Sequence, residues 1–230
     1  MTAHHFPEGQ AAALFCGIGY LASLALYLAL RRRYFPRTPW LTAWLGALML
    51  GSVNLCPVML IRSQFYEVPI AAAYMYSMIA LGCLYAGLLR GALRRRWLWA
   101  GSLAFGLAVG SRPHFVLASP LLAIAGARCW RERSRAAARR PAGRILADAA
   151  GLVLPLAAVV LGLLTYNYLR FGSPLEFGQK YQLAGTNQLK MKLLDWRAIP
   201  ENFYYYFWAP AQYVRYFPFV EMVRPYAGGH

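Results

Sequence analysis

From residue 11 to residue 169 the sequence alternates between long apolar runs and short polar breaks, and three of those breaks are packed with arginine. Apolar runs fall at 11–30, 40–61, 70–89, 97–109, 115–125 and 145–169. About 20 apolar residues carry a helix across the hydrocarbon of a bilayer, where backbone N–H and C=O groups must find partners inside the protein. The pattern therefore predicts an all-α fold, a polytopic integral membrane bundle of about six transmembrane helices. The breaks at 31–37, 90–96 and 128–144 hold 4, 4 and 7 arginines, fifteen of the 24 basic residues, with Glu132 the one acid among them. Alternating spans put these three breaks on one side. The other side receives Glu8, Arg62, Glu67, Arg112 and everything beyond Arg170. Basic loops stay in the cytoplasm. The amino end, the Glu67 loop, the Arg112 turn and the tail are thus expected to face outward, into the periplasm if this is a bacterial inner membrane.

The stretch from Trp97 to Arg131 is interrupted by one polar knot, Gly110-Ser111-Arg112-Pro113-His114. A single helix over the whole stretch would be too long for one crossing. Pro113 removes an amide donor and disfavours helical geometry at Arg112. The expectation is a tight helical hairpin that turns at the membrane surface, its short first half borrowing residues from its flank.

A formal net charge of +16 beside 59% hydrophobic residues would be odd in a soluble domain. In a membrane protein it is ordinary, because charge gathers in the loops. The basic excess does not signal nucleic acid: the arginines follow apolar helices, with no motif for reading bases or backbone beside them. Cys16, Cys56, Cys83 and Cys129 have no paired spacing and read as small packing residues. Gly101, Gly106 and Gly110 read as close helix packing. His4 and His5 lack a third ligand, so no metal site is predicted. Asp148 stands four residues after Arg144, a spacing that predicts an ion pair on one helix face. Residues 128–144 could lie along the membrane as an amphipathic helix.

Two parts are expected: a transmembrane module over 1–170, and an outward segment over 171–230 with aromatic surface or re-entrant helices around 203–208 and 213–219. The first ten residues carry no lysine or arginine, unlike an export signal. An outward amino end without a basic flank calls for a preceding span, and the ending at 226–230 is equally abrupt. The chain reads as the middle of a larger membrane protein.

The chemistry-bearing groups collect on the arginine-poor side: Glu67 beside Tyr66, Arg112 with His114, Arg170 after Tyr166-Asn167-Tyr168, and Glu176. A carboxylate can take a proton from a hydroxyl or hold a metal. A guanidinium can fork onto a phosphate through two parallel hydrogen bonds. Aromatic rings suit a sugar face or an isoprenoid tail. Such a set points to transfer from a lipid-phosphate donor, with an anionic phosphate as leaving group.

Gly106-Leu-Ala-Val-Gly-Ser-Arg-Pro113 and the string Asn167-Tyr-Leu-Arg-Phe-Gly-Ser-Pro-Leu-Glu-Phe-Gly-Gln-Lys-Tyr181 resemble bacterial membrane proteins of the GT-C glycosyltransferase type. That group includes protein mannosyltransferases and aminoarabinose transferases. The resemblance implies an active site on the non-cytoplasmic side and a polyprenyl-phosphate-linked sugar donor. It also implies a protein or glycan acceptor, and inversion at the sugar. The group's module has seven spans, a catalytic aspartate in the first outer loop and a second acid in the next. The spans of this chain resemble the second to seventh. Glu67 then stands at the second acid as the catalytic residue, positioning the acceptor or a divalent cation. Donor binding falls to Arg112, Arg170, His114, Tyr66, Glu176 and Tyr181, the two arginines on the phosphate. The first outer loop and its aspartate have no counterpart here, which puts the activity of this polypeptide taken alone in doubt. The alternatives are a lipid or polysaccharide exporter, with Arg112 and Asp148 along its route, and a noncatalytic scaffold subunit.

Overall fold

The computed structural model describes residues 7–54, 56–61, 66–89, 94–135, 142–178, 196–209, 212–213, 215 and 220–221. The chain divides into two compact units, Met1–Glu176 and Phe177–His230. Among its described residues the first has helices as its only regular elements: α1 (Glu8–Tyr34), α2 (Trp40–Ser52), α3 (Cys56–Ile61), α4 (Glu67–Leu89), α5 (Arg94–Ser111), a 3-10 turn (Pro113–Ala118), α6 (Pro120–Arg135) and α7 (Ala142–Phe171). Helices α1 and α4 and the Leu146–Phe171 portion of α7 are each long and apolar enough to cross a bilayer. Apolar side chains also cover outer faces, with Leu21 of α1, Leu41 and Trp44 of α2, and Leu161 and Leu169 of α7 all more than half exposed. Large exposed apolar surface of this kind belongs in contact with lipid. The fold is that of a helical membrane protein with several long apolar helices.

Contacts between glycines and their neighbours fix how the helices run. Tyr74 on α4 packs on Gly19 of α1, and further along the same pair Ala29 and Leu89 line one cleft, so α1 and α4 are parallel. Gly87 of α4 meets Leu98 of α5 while Gly101 meets Leu84, so that pair is antiparallel. Trp99 of α5 packs on Gly151 of α7 and Gly106 packs on Val159, so α5 and α7 are parallel. Helix α5 is therefore the central element, flanked by α4 and α7. A side chain at Gly101 or Gly106 would crowd Leu84 or Val159 at 3.1 Å, as expected where small residues let backbones approach. The directions bring Arg31, Arg32 and Arg33 to the same end of the bundle as Arg94, Arg95 and Arg96. Glu8, Glu67 and Arg112 lie at the opposite end. Helix α5 gains length from its flank as the sequence suggests, its 18 residues starting at Arg94 and spanning about 27 Å.

Two prolines, Pro57 and Pro155, disturb helices, and polar side chains meet the backbone at both. The apolar run 40–61 predicts one helix; the structure splits it after Ser52. Pro57 is the cause. It has no amide to give Val53, and it disfavours helical geometry at Cys56. Asn54 closes the gap: its Oδ1 accepts from the Cys56 amide at 3.0 Å, and its Nδ2 donates to the Leu50 carbonyl at 2.8 Å and to the Tyr74 hydroxyl at 3.3 Å. Tyr74 in turn donates to Ser23 Oγ at 3.3 Å, and Ser23 donates to the Tyr20 carbonyl at 2.8 Å.

Helix α7 runs on without a break although Pro155 sits inside it. Proline has no amide to give the Gly151 carbonyl one turn before. Ser102, fully buried on α5, meets the neighbouring rung, its hydroxyl donating to the Leu152 carbonyl at 2.6 Å and accepting from the Leu156 amide at 3.2 Å. Those two groups are the two ends of one i, i+4 rung of α7. Asp148 is buried on the same helix, 6% exposed; the side chain of Arg144, its expected partner, lies outside the described residues.

The second unit contains a 3-10 turn (Trp196–Ala198), helix α8 (Ile199–Phe207) and a two-stranded antiparallel ribbon of β1 (Gln212–Tyr213) and β2 (Val220–Glu221). Helix α8 has 9 residues, about 13 Å, too short to cross a bilayer. The rings of Phe203 and Phe207 stack at 4.8 Å, and both are more than half exposed.

Ser102→Ala should lower stability by about 1–3 kcal/mol, the cost of leaving an amide and a carbonyl unpaired out of water. Pro155→Ala in the same chain should recover part of the loss, since residue 155 then has an amide for the Gly151 carbonyl. Thermal unfolding in detergent reads both, and a Ser102→Ala melt equal to the parent's would overturn the account. Packing of α3 on α1 is checked separately. The thiols of Cys16 and Cys56, both buried and free, belong to one packed cluster. A bridging reagent such as dibromobimane should become fluorescent on the intact chain and stay dark on Cys56→Ala. A dark parent would mean that α1 and α3 are not neighbours.

Candidate functional site

Helix α5 ends where the sequence places its polar knot. Ser111 Oγ donates to the Leu107 carbonyl at 2.9 Å, and the Arg112 amide closes the last turn on Ala108 at 3.0 Å. Arg112 itself is extended, φ −146° and ψ 103°, as its position before Pro113 requires. The chain then coils through the 3-10 turn, whose Phe115 amide returns to the Arg112 carbonyl at 3.0 Å. Ser119 hands over to α6, accepting from Leu122 at 3.0 Å and Ala123 at 3.2 Å through its carbonyl. The hairpin turn is thus the one the sequence predicts.

This turn throws the Arg112 guanidinium across to α4, where Nη2 donates to the Tyr66 carbonyl at 2.7 Å. Tyr66 directly precedes α4, and Glu67 is the first residue of that helix. A carboxylate in a first turn faces the positive end of the helix dipole, so Glu67 stabilises its own helix whatever else it does. The structure brings Arg112, Tyr66 and Glu67 to one corner of the bundle from positions 46 residues apart. Among the described residues Arg112 Nε is buried without a hydrogen-bond partner. A guanidinium has five N–H donors in one plane, so this arginine keeps capacity to fork onto an anion while one nitrogen is tied down. His114 is exposed at the same turn, its ring 5.1 Å from that of Phe115.

Arg170 belongs to a second cluster. Its Nη1 donates to the Tyr166 hydroxyl at 2.7 Å, and its guanidinium lies 5.1 Å from the Phe171 ring and 5.8 Å from that of Tyr166. Helix α7 stops one residue later because Gly172 adopts φ 71°, the left-handed turn that terminates helices, with its amide on the Tyr168 carbonyl at 2.8 Å. Asn167, 3% exposed, draws the following turn back through Nδ2 to the Pro174 carbonyl at 3.2 Å. Glu176, half-buried, ends the same turn with its amide on the Ser173 carbonyl at 3.4 Å. Tyr181 lies outside the described residues.

The two clusters stand at different levels. Gly110 of α5 faces Val159 of α7 at 3.8 Å, and Arg170 is eleven residues further along α7, about 16 Å of helix. Arg112 and Arg170 thus have separate partners, the Tyr66 carbonyl for one and the Tyr166 hydroxyl for the other. Among the described residues no group of three or more His, Cys, Asp or Glu side chains could hold a metal ion. Sequence reasoning passed over Asn167 and Asn54, the two amides that pin turns and breaks; an amide in an otherwise apolar helix was the available signal.

No family model matches the chain, and no curated protein or solved structure matches it.

Arg112→Ala should loosen the start of α4 by about 1.5 kcal/mol, the lower end for a hydrogen bond to a charged group. Faster amide exchange in the first turn of α4, read by mass spectrometry, is the expected result. Unchanged exchange there would show that the Tyr66 contact holds nothing.

Proposed function

We propose that this chain is a membrane glycosyltransferase of the GT-C type, or a segment of one, working on a polyprenyl-phosphate-linked sugar at the non-cytoplasmic face. The observation that carries the reading is the Arg112 corner. One arginine, with a buried unpartnered Nε and a nitrogen fixed on the Tyr66 carbonyl, stands beside an acidic residue. It stands at the end of the bundle opposite the arginines of α1 and α5. Basic ends stay in the cytoplasm. The Arg112 corner then faces outward, in the leaflet where such a donor would present its phosphate, and six spans follow from pairing α2 with α3 and counting α5 and α6 as crossings.

In this reading Arg112 binds the donor phosphate and stabilises the charge that grows on it as the sugar leaves. Glu67 positions the acceptor hydroxyl and takes its proton. Tyr66 and His114 border the sugar. Arg170, stacked on Tyr166 and Phe171 at a higher level, anchors the rim of the site together with Glu176. The break at Asn54 favours a second reading, export of a lipid or polysaccharide, because discontinuous helices line transport routes.

Binding of a polyprenyl-phosphate-linked hexose to the chain in nanodiscs is the deciding measurement. Arg112→Ala should weaken binding about tenfold or more, as loss of a charge-assisted contact does. Glu67→Gln should leave binding intact and abolish transfer to acceptor. Equal affinity of parent and Arg112→Ala would sink the assignment, and saturable transport of the lipid across liposomes without sugar transfer would put the export reading in its place.

A further inference from the structure

We infer that the cleft between α1, α4 and the start of α5 is a binding site for one chain of an anionic phospholipid, whose phosphate rests against Arg32 and Arg33. The cleft lies at the opposite end of the bundle from Arg112 and has a volume of about 410 Å³, within the range of ligand sites. Its walls are apolar and made low by small residues, among them Ala25, Ala29, Gly82 and Ala86. A Cβ built on Gly82 would meet nothing within 4 Å. The trough is thus a feature of missing side chains on two parallel helices, shaped to take something long and thin.

Two features set what that occupant is. The first is Tyr85, which lines the cleft and whose hydroxyl is buried without a hydrogen-bond partner among the described residues. A buried hydroxyl with no acceptor is costly. Tyr85 is four residues before the end of α4 at Leu89, about 6 Å along the helix, the depth at which a glycerol ester carbonyl lies below its phosphate.

The second is charge. On α1 the cleft-lining Ala25 and Ala29 continue, at helical spacing, onto Arg32 and Arg33, both exposed. Arg31 is committed elsewhere, donating to the Thr38 carbonyl and lying 4.7 Å from the Trp40 ring. Arg32 and Arg33 have no acid beside them in 31–37. A second copy of the chain would bring its own arginines to the same place and be repelled. An anionic headgroup is attracted, as basic residues at a membrane surface attract anionic lipid.

Native mass spectrometry of the chain with phosphatidylglycerol and phosphatidylcholine of identical acyl chains tests this. The parent should retain phosphatidylglycerol in preference by about tenfold or more. Arg32→Ala/Arg33→Ala should bind both lipids alike. Gly82→Leu, which fills the trough without a clash, should retain neither while its melting curve stays that of the parent. Equal retention of the two lipids by the parent, undiminished retention by Gly82→Leu, or a dimer in place of lipid adducts would each overturn the proposal.

Discussion

A backbone amide or carbonyl in hydrocarbon has no water to turn to, and that constraint explains the polar groups buried in this bundle. Pro57 and Pro155 each remove an amide from a helical ladder. Asn54, held by Tyr74 of α4, meets the backbone at the first, and Ser102 of α5 meets it near the second. Each contact ties two or three helices at one point. The prolines therefore mark crosslinks between elements as much as interruptions of one.

Central placement of α5 follows from the same economy of space. Its glycines face two ways, Gly101 toward α4 and Gly106 toward α7, so both neighbours approach closely. Its end is then fixed well enough for Arg112 to meet the Tyr66 carbonyl on a loop distant in sequence. The parallel register of α5 and α7 sets the other arginine cluster apart, because α7 runs on beyond the level at which α5 turns.

Apolar runs in the sequence were enough to read α1, α4 and α7, since lipid contact demands long uniform stretches and arginines mark their ends. The hairpin at Arg112-Pro113 was legible for a local reason, the geometry that proline imposes on its neighbour. The break at 53–55 was hidden, because Pro57 sits in a run as hydrophobic as any other. The meeting of Cys16 with Cys56 depends on how α3 folds back along α1, which no spacing within the chain displays. The Arg112 corner was half legible. Charge alternation put Glu67 and Arg112 at the same end, but the group that binds Arg112 is a main-chain carbonyl, and carbonyls leave no mark in a sequence. Alternating charge put Arg170 on the same side as Arg112 but gave nothing of its partner, the Tyr166 hydroxyl one turn back on α7.

The Ser102 bridge also bears on how the bundle is assembled. Helices α5 and α7 touch along much of their length, yet α6 is made between them. Helix α7 carries Pro155 inside its ladder, so the Gly151 carbonyl lacks its usual amide, and the hydroxyl on α5 meets the next rung. Docking of α7 against α5 is thus a polar step as well as an apolar one, and it follows the synthesis of α6. Errors in biogenesis would gather at that step, with α7 inserted but undocked as the species a quality-control protease would recognise.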